Sequence, residues 1–151
     1  METIEKSVEI INDLIEINND RADGFQKALK DLEGGESDLK SLFEEYSSQS
    51  RQFSQELTAL AAQHGGDTET GNSVSGTLHR AWIDVKALFT GSDRKAILAE
   101  CERGEDAIKK AYREALAEGV LPAEAITLIA KQAQAIGQSH DRIKALRDSA
   151  Q

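Results

Sequence analysis

Apolar residues recur at helical spacing in four long stretches of the chain. From Ile4 to Leu32 they follow one another at intervals of mostly three and four, which places them on one face of a helix. Gly34-Gly35 supplies a stop, since glycine accepts the left-handed conformation that ends helices. The same pattern returns three times. The predicted long helices cover residues 3–33, 36–64, 93–118 and 122–148.

The connections between these helices predict how they are arranged. The first and last links are only a few residues long, so each predicts an antiparallel hairpin. About 28 residues separate the two hairpins, and a short apolar stripe ending at Phe89 predicts an extra helix over residues 74–90 within them. We therefore predict an all-α, ferritin-like four-helix bundle, two antiparallel hairpins joined by a long crossover. The alternative is a simple five-helix bundle.

Composition narrows the class of protein without identifying an activity. The 151 residues favour one domain over residues 1–151, and one proline with 5% aromatic residues argues against many short strands. The lone Cys101 cannot form an intramolecular disulfide, and no leader or membrane-length apolar run is present, so we expect a cytoplasmic protein. A net charge of -9 opposes binding to nucleic acid and to anionic membranes.

Polar residues interrupt the apolar stripes near the middle of the long helices. In helices of similar length these positions fall at similar heights, so the side chains can meet inside the bundle. We call this set the polar waist: Asn18, Gln49, Ser50, Arg51 and Gln132. A waist of this kind is typical of a buried polar network, which fixes helix register at some cost in stability.

A second interpretation of the middle of the bundle is a metal site. Glu102 and Glu105 lie one turn apart, and His140 supplies an imidazole, which makes iron or manganese the candidate ions. Di-iron bundles add a Glu-x-x-His motif on each of two helices, and this chain has none. Arg51 also adds positive charge that opposes a dication. The ligand set is therefore incomplete, and we expect no cofactor.

Three segments of the chain carry a family resemblance. They are GTLHRAWIDVK at 76–86, ECERGED at 100–106 and HDRIKALR at 140–147. With positions in the first two helices, they resemble an uncharacterised family of bacterial four-helix-bundle proteins in the ferritin-like class, a domain of unknown function, over residues 4–148. The resemblance implies a cytoplasmic bundle with a link to stress. It carries over only Glu102, Glu105 and His140 as metal ligands and implies no activity.

Three functional hypotheses follow. The first, which we favour, is a non-catalytic structural or interaction protein whose partner is a second copy or another protein. The second is a metal-binding oxidoreductase or storage protein centred on Glu102, Glu105 and His140. The third is a small-molecule-binding bundle whose polar waist lines a pocket. Because the metal ligands are incomplete and no ligand is specified, we expect a protein without enzymatic activity.

Overall fold

A computed structural model describes residues 2–32, 37–63 and 94–150 of the chain. Within these ranges the protein is all-helical, without strands, as the apolar spacing predicts. The four helices are α1 (Glu2–Asp31), α2 (Ser37–Gln63), α3 (Arg94–Ala117) and α4 (Ala123–Ser149). Their bounds differ from the predicted ones by one or two residues. The extra helix predicted over residues 74–90 lies outside the described residues.

The turn between α3 and α4 shows why these helices end where they do. Gly119 has a φ of +75°, a left-handed conformation that glycine adopts without steric cost. Pro122 follows with a φ of -67°, and its carbonyl accepts the backbone N–H of Ile126, the first-turn hydrogen bond of α4. Proline suits this position because its fixed φ is compatible with a helix start.

Both hairpins are antiparallel. In the first, Ser54 Oγ of α2 donates to Asn19 Oδ1 at 2.8 Å, and Ser47 Oγ donates to the Ala22 carbonyl at 3.0 Å. As the residue number increases along α1, the residue number of its partner on α2 decreases, so the two helices run in opposite directions.

The second hairpin shows the same reversal. Tyr112 of α3 lies against Gln132 of α4, with 2.6 Å between the phenol and amide oxygens. Glu102, nearer the start of α3, meets Arg147, near the end of α4. The direction of α4 is thus opposite to that of α3.

The first turns of α2 and α3 lie at the same end of the bundle. Arg94 Nη2, at the start of α3, donates to Asp38 Oδ2 of α2 at 2.8 Å. This hydrogen bond lowers the pKa of the Asp38 carboxyl below its usual value. Since α2 and α3 begin at one end, they run in the same direction. Around the bundle, α1 packs on α2 and α3, and α4 packs on α3 and more loosely on α2.

The inner faces of the four helices form one apolar core. Phe25 of α1 anchors it, with its ring centroid 5.3 Å from that of Phe43 and 5.5 Å from that of Tyr46. Each α-helix contributes apolar side chains that are almost completely buried. Among them are Ile11, Leu14, Ile17, Phe25, Leu39, Phe43, Leu57, Ile97, Leu98, Cys101, Ile108, Ile129, Ile136 and Ile143. Across the described part of the chain, no helix is long and apolar enough to cross a membrane.

Candidate functional site

A buried ion pair occupies the middle of the bundle. Arg21 of α1 and Glu105 of α3 both have fully buried side chains. Arg21 Nε donates to Glu105 Oε1 at 2.6 Å, and Arg21 Nη2 donates to Glu105 Oε2 at 3.1 Å. This two-point arrangement matches the planar guanidinium to the planar carboxylate and strengthens both hydrogen bonds. Each charge thereby compensates the other where water is excluded.

The remaining donors of Arg21 reach the other two helices. Nη1 donates to Gln49 Oε1 at 2.9 Å and to Ser50 Oγ at 2.8 Å, both on α2. Nη2 donates to Ser139 Oγ of α4 at 3.0 Å, and that hydroxyl in turn donates to Glu105 Oε2. A guanidinium has five N–H donors, and all five are used here. One side chain therefore links all four helices.

Aromatic rings flank the Arg21 guanidinium. Its Cζ lies 5.2 Å from the Phe25 ring centroid and 5.4 Å from that of Tyr46. The electron-rich faces of such rings attract a cation, most strongly where water is excluded. The apolar core thus contributes to holding the charge of Arg21.

The network continues along the bundle axis through amides and a phenol. Asn18 Nδ2 donates to Tyr112 Oη at 2.8 Å, and Asn18 Oδ1 accepts from Ser50 Oγ at 2.9 Å. Tyr112 Oη donates to Gln132 Oε1 at 2.6 Å, and Gln132 Nε2 donates to Glu56 Oε1 at 3.0 Å. We call this assembly, which is buried except for the half-buried Gln49, the central network. Its members are Asn18, Arg21, Gln49, Ser50, Glu105, Tyr112, Gln132 and Ser139.

The structure brings together four of the five residues of the predicted polar waist and excludes the fifth. Arg51 lies on the surface with 54% of its side chain exposed, where Nη2 contacts Asp23 Oδ1 at 3.3 Å. Successive residues of a helix point about 100° apart, so a position next to the buried Ser50 turns outward. The buried arginine is Arg21, which the sequence analysis missed. Its spacing of three from Asn18 was the signal that it lies on the inner face.

The predicted metal ligands are also separated by the structure. Glu105 points into the bundle and is held by Arg21, whereas Glu102 and His140 lie together at the α3–α4 edge. Asp106 joins them there, one turn after Glu102. Glu102, Asp106 and His140 form the outer cluster, whose candidate ligand atoms all lie within 4.8 Å of one another. The set Glu102, Glu105 and His140 is therefore not assembled, because Glu105 faces inward.

Further charged groups surround the outer cluster. His140 Nε2 lies 2.5 Å from Asp106 Oδ1, and His140 Nδ1 lies 3.1 Å from Asp141 Oδ1. Arg147 Nη1 is 2.5 Å from Glu102 Oε1. The His140 side chain is 10% exposed and that of Asp106 is 60% exposed. The cluster therefore combines a largely buried imidazole with an exposed carboxylate.

The middle of the bundle does not fit the two-metal centre that a ferritin-like resemblance implies. Such a centre needs carboxylates from several helices around adjacent cations. The central network contains one carboxylate, Glu105, and both of its oxygens accept hydrogen bonds from Arg21. The guanidinium supplies the positive charge that metal ions would bring, so the donor set there is that of an ion pair.

Burial keeps the weakly acidic groups of the core protonated. Desolvation raises the pKa of Tyr112 well above its ordinary value, against the opposing effect of the hydrogen bond from Asn18. Burial, with the nearby Glu105 carboxylate, raises the pKa of Tyr46 to about 12 and that of the Cys101 thiol well above its ordinary value. A buried thiol of this kind is not a nucleophile, because the thiolate is the reactive form.

Removing the Tyr112 hydroxyl tests whether the axial part of the central network stabilises the fold. We expect Tyr112→Phe to lower the free energy of unfolding by about 1–3 kcal/mol, because a buried amide oxygen of Gln132 loses its donor. Urea denaturation followed by circular dichroism measures this. The matched variant Tyr46→Phe removes the same atom outside the network and should cost less. Equal costs for the two variants would contradict a contribution from the network.

Comparison with known proteins places the chain in a family. No curated protein gives a significant match. The sequence profile of one family, described as a domain of unknown function, matches residues 6–118, about three quarters of the chain and most of α1 through α3. This agrees with the resemblance to an uncharacterised domain. The chain belongs to the DUF2383 family.

Proposed function

We propose that this protein is a non-catalytic four-helix bundle of ferritin-like connectivity, which acts in the cytoplasm through contacts with other proteins. The parallel direction of α2 and α3 supports this connectivity. Two consecutive helices that begin at the same end need a connection as long as the bundle, and residues 64–93 provide enough chain. A single long crossover between two hairpins is the ferritin-like arrangement.

The observation that carries the proposal is the complete pairing of Arg21. A bundle that does chemistry in its interior keeps ligand positions or an acid–base group available to a substrate. Here the five donors of Arg21 and both oxygens of Glu105 are bound by residues of the four helices. Displacing Arg21 or Glu105 from the pair would leave the other charge buried without its partner, at a cost of about 3–5 kcal/mol. The interior contacts thus stabilise the fold. We therefore assign the function of the protein to contacts made by its outer helix faces.

Exposure to iron and oxygen tests the proposal against the oxidoreductase alternative. The test uses Asp106→Asn, so that metal at the outer cluster does not count. The protein is incubated anaerobically with ferrous iron and desalted, and its iron is then measured by mass spectrometry before oxygen is admitted. We expect no retained iron and no oxygen consumption above that of buffer, because the central network holds a guanidinium in place of cations.

Wild-type protein treated in parallel shows whether the substitution itself changed iron retention. One or two iron ions per chain in Asp106→Asn, with consumption of oxygen, would overturn the proposal. That result would place redox chemistry inside the bundle.

A further inference from the structure

We propose that the outer cluster of Glu102, Asp106 and His140 binds one divalent transition-metal ion, with Zn²⁺ as the expected occupant. The ion would join α3 to α4 on the surface of the second hairpin. This site is distinct from the central network, with which it shares no residue. It adds a binding activity to the non-catalytic bundle.

The geometry of the three side chains is close to that of a metal site. Their ligand atoms lie within 4.8 Å of one another. Ligands about 2.0–2.2 Å from a zinc ion are roughly 3–3.5 Å apart. The wider separations in the cluster must therefore close, and the 2.5 Å contact between His140 Nε2 and Asp106 Oδ1 must open by about 0.5–1 Å. Asp106 has room to shift, since its side chain is 60% exposed.

The hydrogen bonding of His140 points to a cation. Its two ring nitrogens each face a carboxylate, Asp141 at Nδ1 and Asp106 at Nε2. Nδ1 can keep its contact with Asp141 while Nε2 binds an ion, because the two ring nitrogens act independently as donor and ligand. A metal ion bound by Nε2 and Asp106 would replace their direct 2.5 Å contact. Histidine ligands commonly have their other ring nitrogen bound to a carboxylate in this way.

Glu102 supplies a second observation of the same kind. The residue is buried, with an exposure of 8%, and its Oε1 atom accepts no hydrogen bond. Arg147 Nη1 lies 2.5 Å from that atom without hydrogen-bond alignment, and Arg147 Nη2 also contacts Asp148 Oδ1 at 2.8 Å. Arg147 has a second acidic partner, so it can release Glu102 to an ion. We therefore treat Arg147 as a competitor of the metal.

The donor set selects the class of ion. One imidazole nitrogen and two carboxylate oxygens suit zinc and its neighbours, whereas Ca²⁺ and Mg²⁺ prefer oxygen ligands alone. Three protein ligands leave a fourth position for water, as is common for zinc sites that are open to solvent. An ion here would hold two adjacent helices together at a point close to their exposed edge.

Calorimetric titration of the chelator-treated full-length protein with zinc chloride tests the proposal. We expect saturation at one ion per chain. Asp106→Asn should weaken binding about tenfold or more, because it removes a ligand charge. The matched control is Asp38→Asn, which removes the same charge from a side chain of the same exposure, 61%, at the Arg94 end of α2. Its affinity should stay within about twofold of wild type.

Arg147→Gln gives a second and opposite readout. Removing the competing guanidinium should tighten zinc binding several-fold, an outcome that a damaged fold cannot produce. Absence of saturable one-to-one binding in the wild type would overturn the proposal. So would equal weakening by Asp106→Asn and Asp38→Asn, or no effect of Asp106→Asn, since zinc would then be bound elsewhere, for example at His64 or His79.

Discussion

Replacing Arg21 by methionine should lower the free energy of unfolding by about 3–5 kcal/mol, because the Glu105 carboxylate is left buried without its counter-charge. Both side chains are fully buried, so no solvent is available to take over the lost interactions. Gln49, Ser50 and Ser139 would lose their donor as well. Urea denaturation followed by circular dichroism, with the slope compared between variants, measures the change.

The surface pair of Arg51 and Asp23 provides the matched control. Arg51→Met removes an arginine whose side chain is 54% exposed, and an exposed pair contributes only about 0–1 kcal/mol. A double variant, Arg21→Met with Glu105→Gln, should cost less than the sum of the two single variants, since neither then leaves a lone charge. If Arg21→Met and Arg51→Met cost the same, the central network would not be a stabilising element.

Alkaline solution should destabilise the protein steeply above pH 10. Phenols in the unfolded chain lose their protons near pH 10, whereas the folded state keeps Tyr46 protonated to about pH 12 and Tyr112 to higher pH still. Stability from these groups is complete below pH 10 and is lost as the pH rises. Well above pH 10 each buried tyrosine contributes a loss that approaches about 1.4 kcal/mol per pH unit. Between pH 10 and pH 11, where the unfolded phenols are only partly ionised at the start, the two together give about 2 kcal/mol.

Ultraviolet absorbance of phenolate measures this effect directly, because Tyr46 and Tyr112 are the two tyrosines of the chain. The phenolate signal should stay low until helical circular dichroism is lost, and the two transitions should coincide. Tyr112→Phe should reduce the dependence of stability on pH by about half, since one group remains. Phenolate absorbance that rises near pH 10 while the helices persist would show that the phenols are accessible.

The apolar spacing was sufficient to predict the four helices to within one or two residues, because each stripe is long and the first three are closed by glycine. It also placed Asn18, Gln49, Ser50 and Gln132 at one height. What it did not resolve was the rotation of each helix about its axis at polar positions. Where no apolar neighbour fixes the inward direction, the sequence does not show whether Arg21 or Arg51 pairs with a buried acid. The packing of α1 on α3 places Arg21 against Glu105, whereas Arg51 pairs with Asp23 at the surface.

The same ambiguity explains the candidate metal ligands. Glu102, Glu105 and Asp106 are close in sequence, and each can face α4 or the core depending on a rotation of less than one residue step. The partner that directs Glu105 inward is Arg21, 84 residues away along the chain, which no local pattern reveals. The predicted crossover helix, by contrast, lies outside the described residues and stays a prediction.

The long sequence separation within the central network has a consequence for the order of folding. Contacts inside each hairpin are local and inexpensive to close, whereas Arg21 meets Glu105 and Ser139 across 84 and 118 residues. We expect the two hairpins to form first and the network to close only as they dock. Stopped-flow measurements on Arg21→Met would then show faster unfolding with little change in the folding rate. An ion pair that forms only after docking would slow unfolding more than it speeds folding, so it would set how long the bundle stays folded.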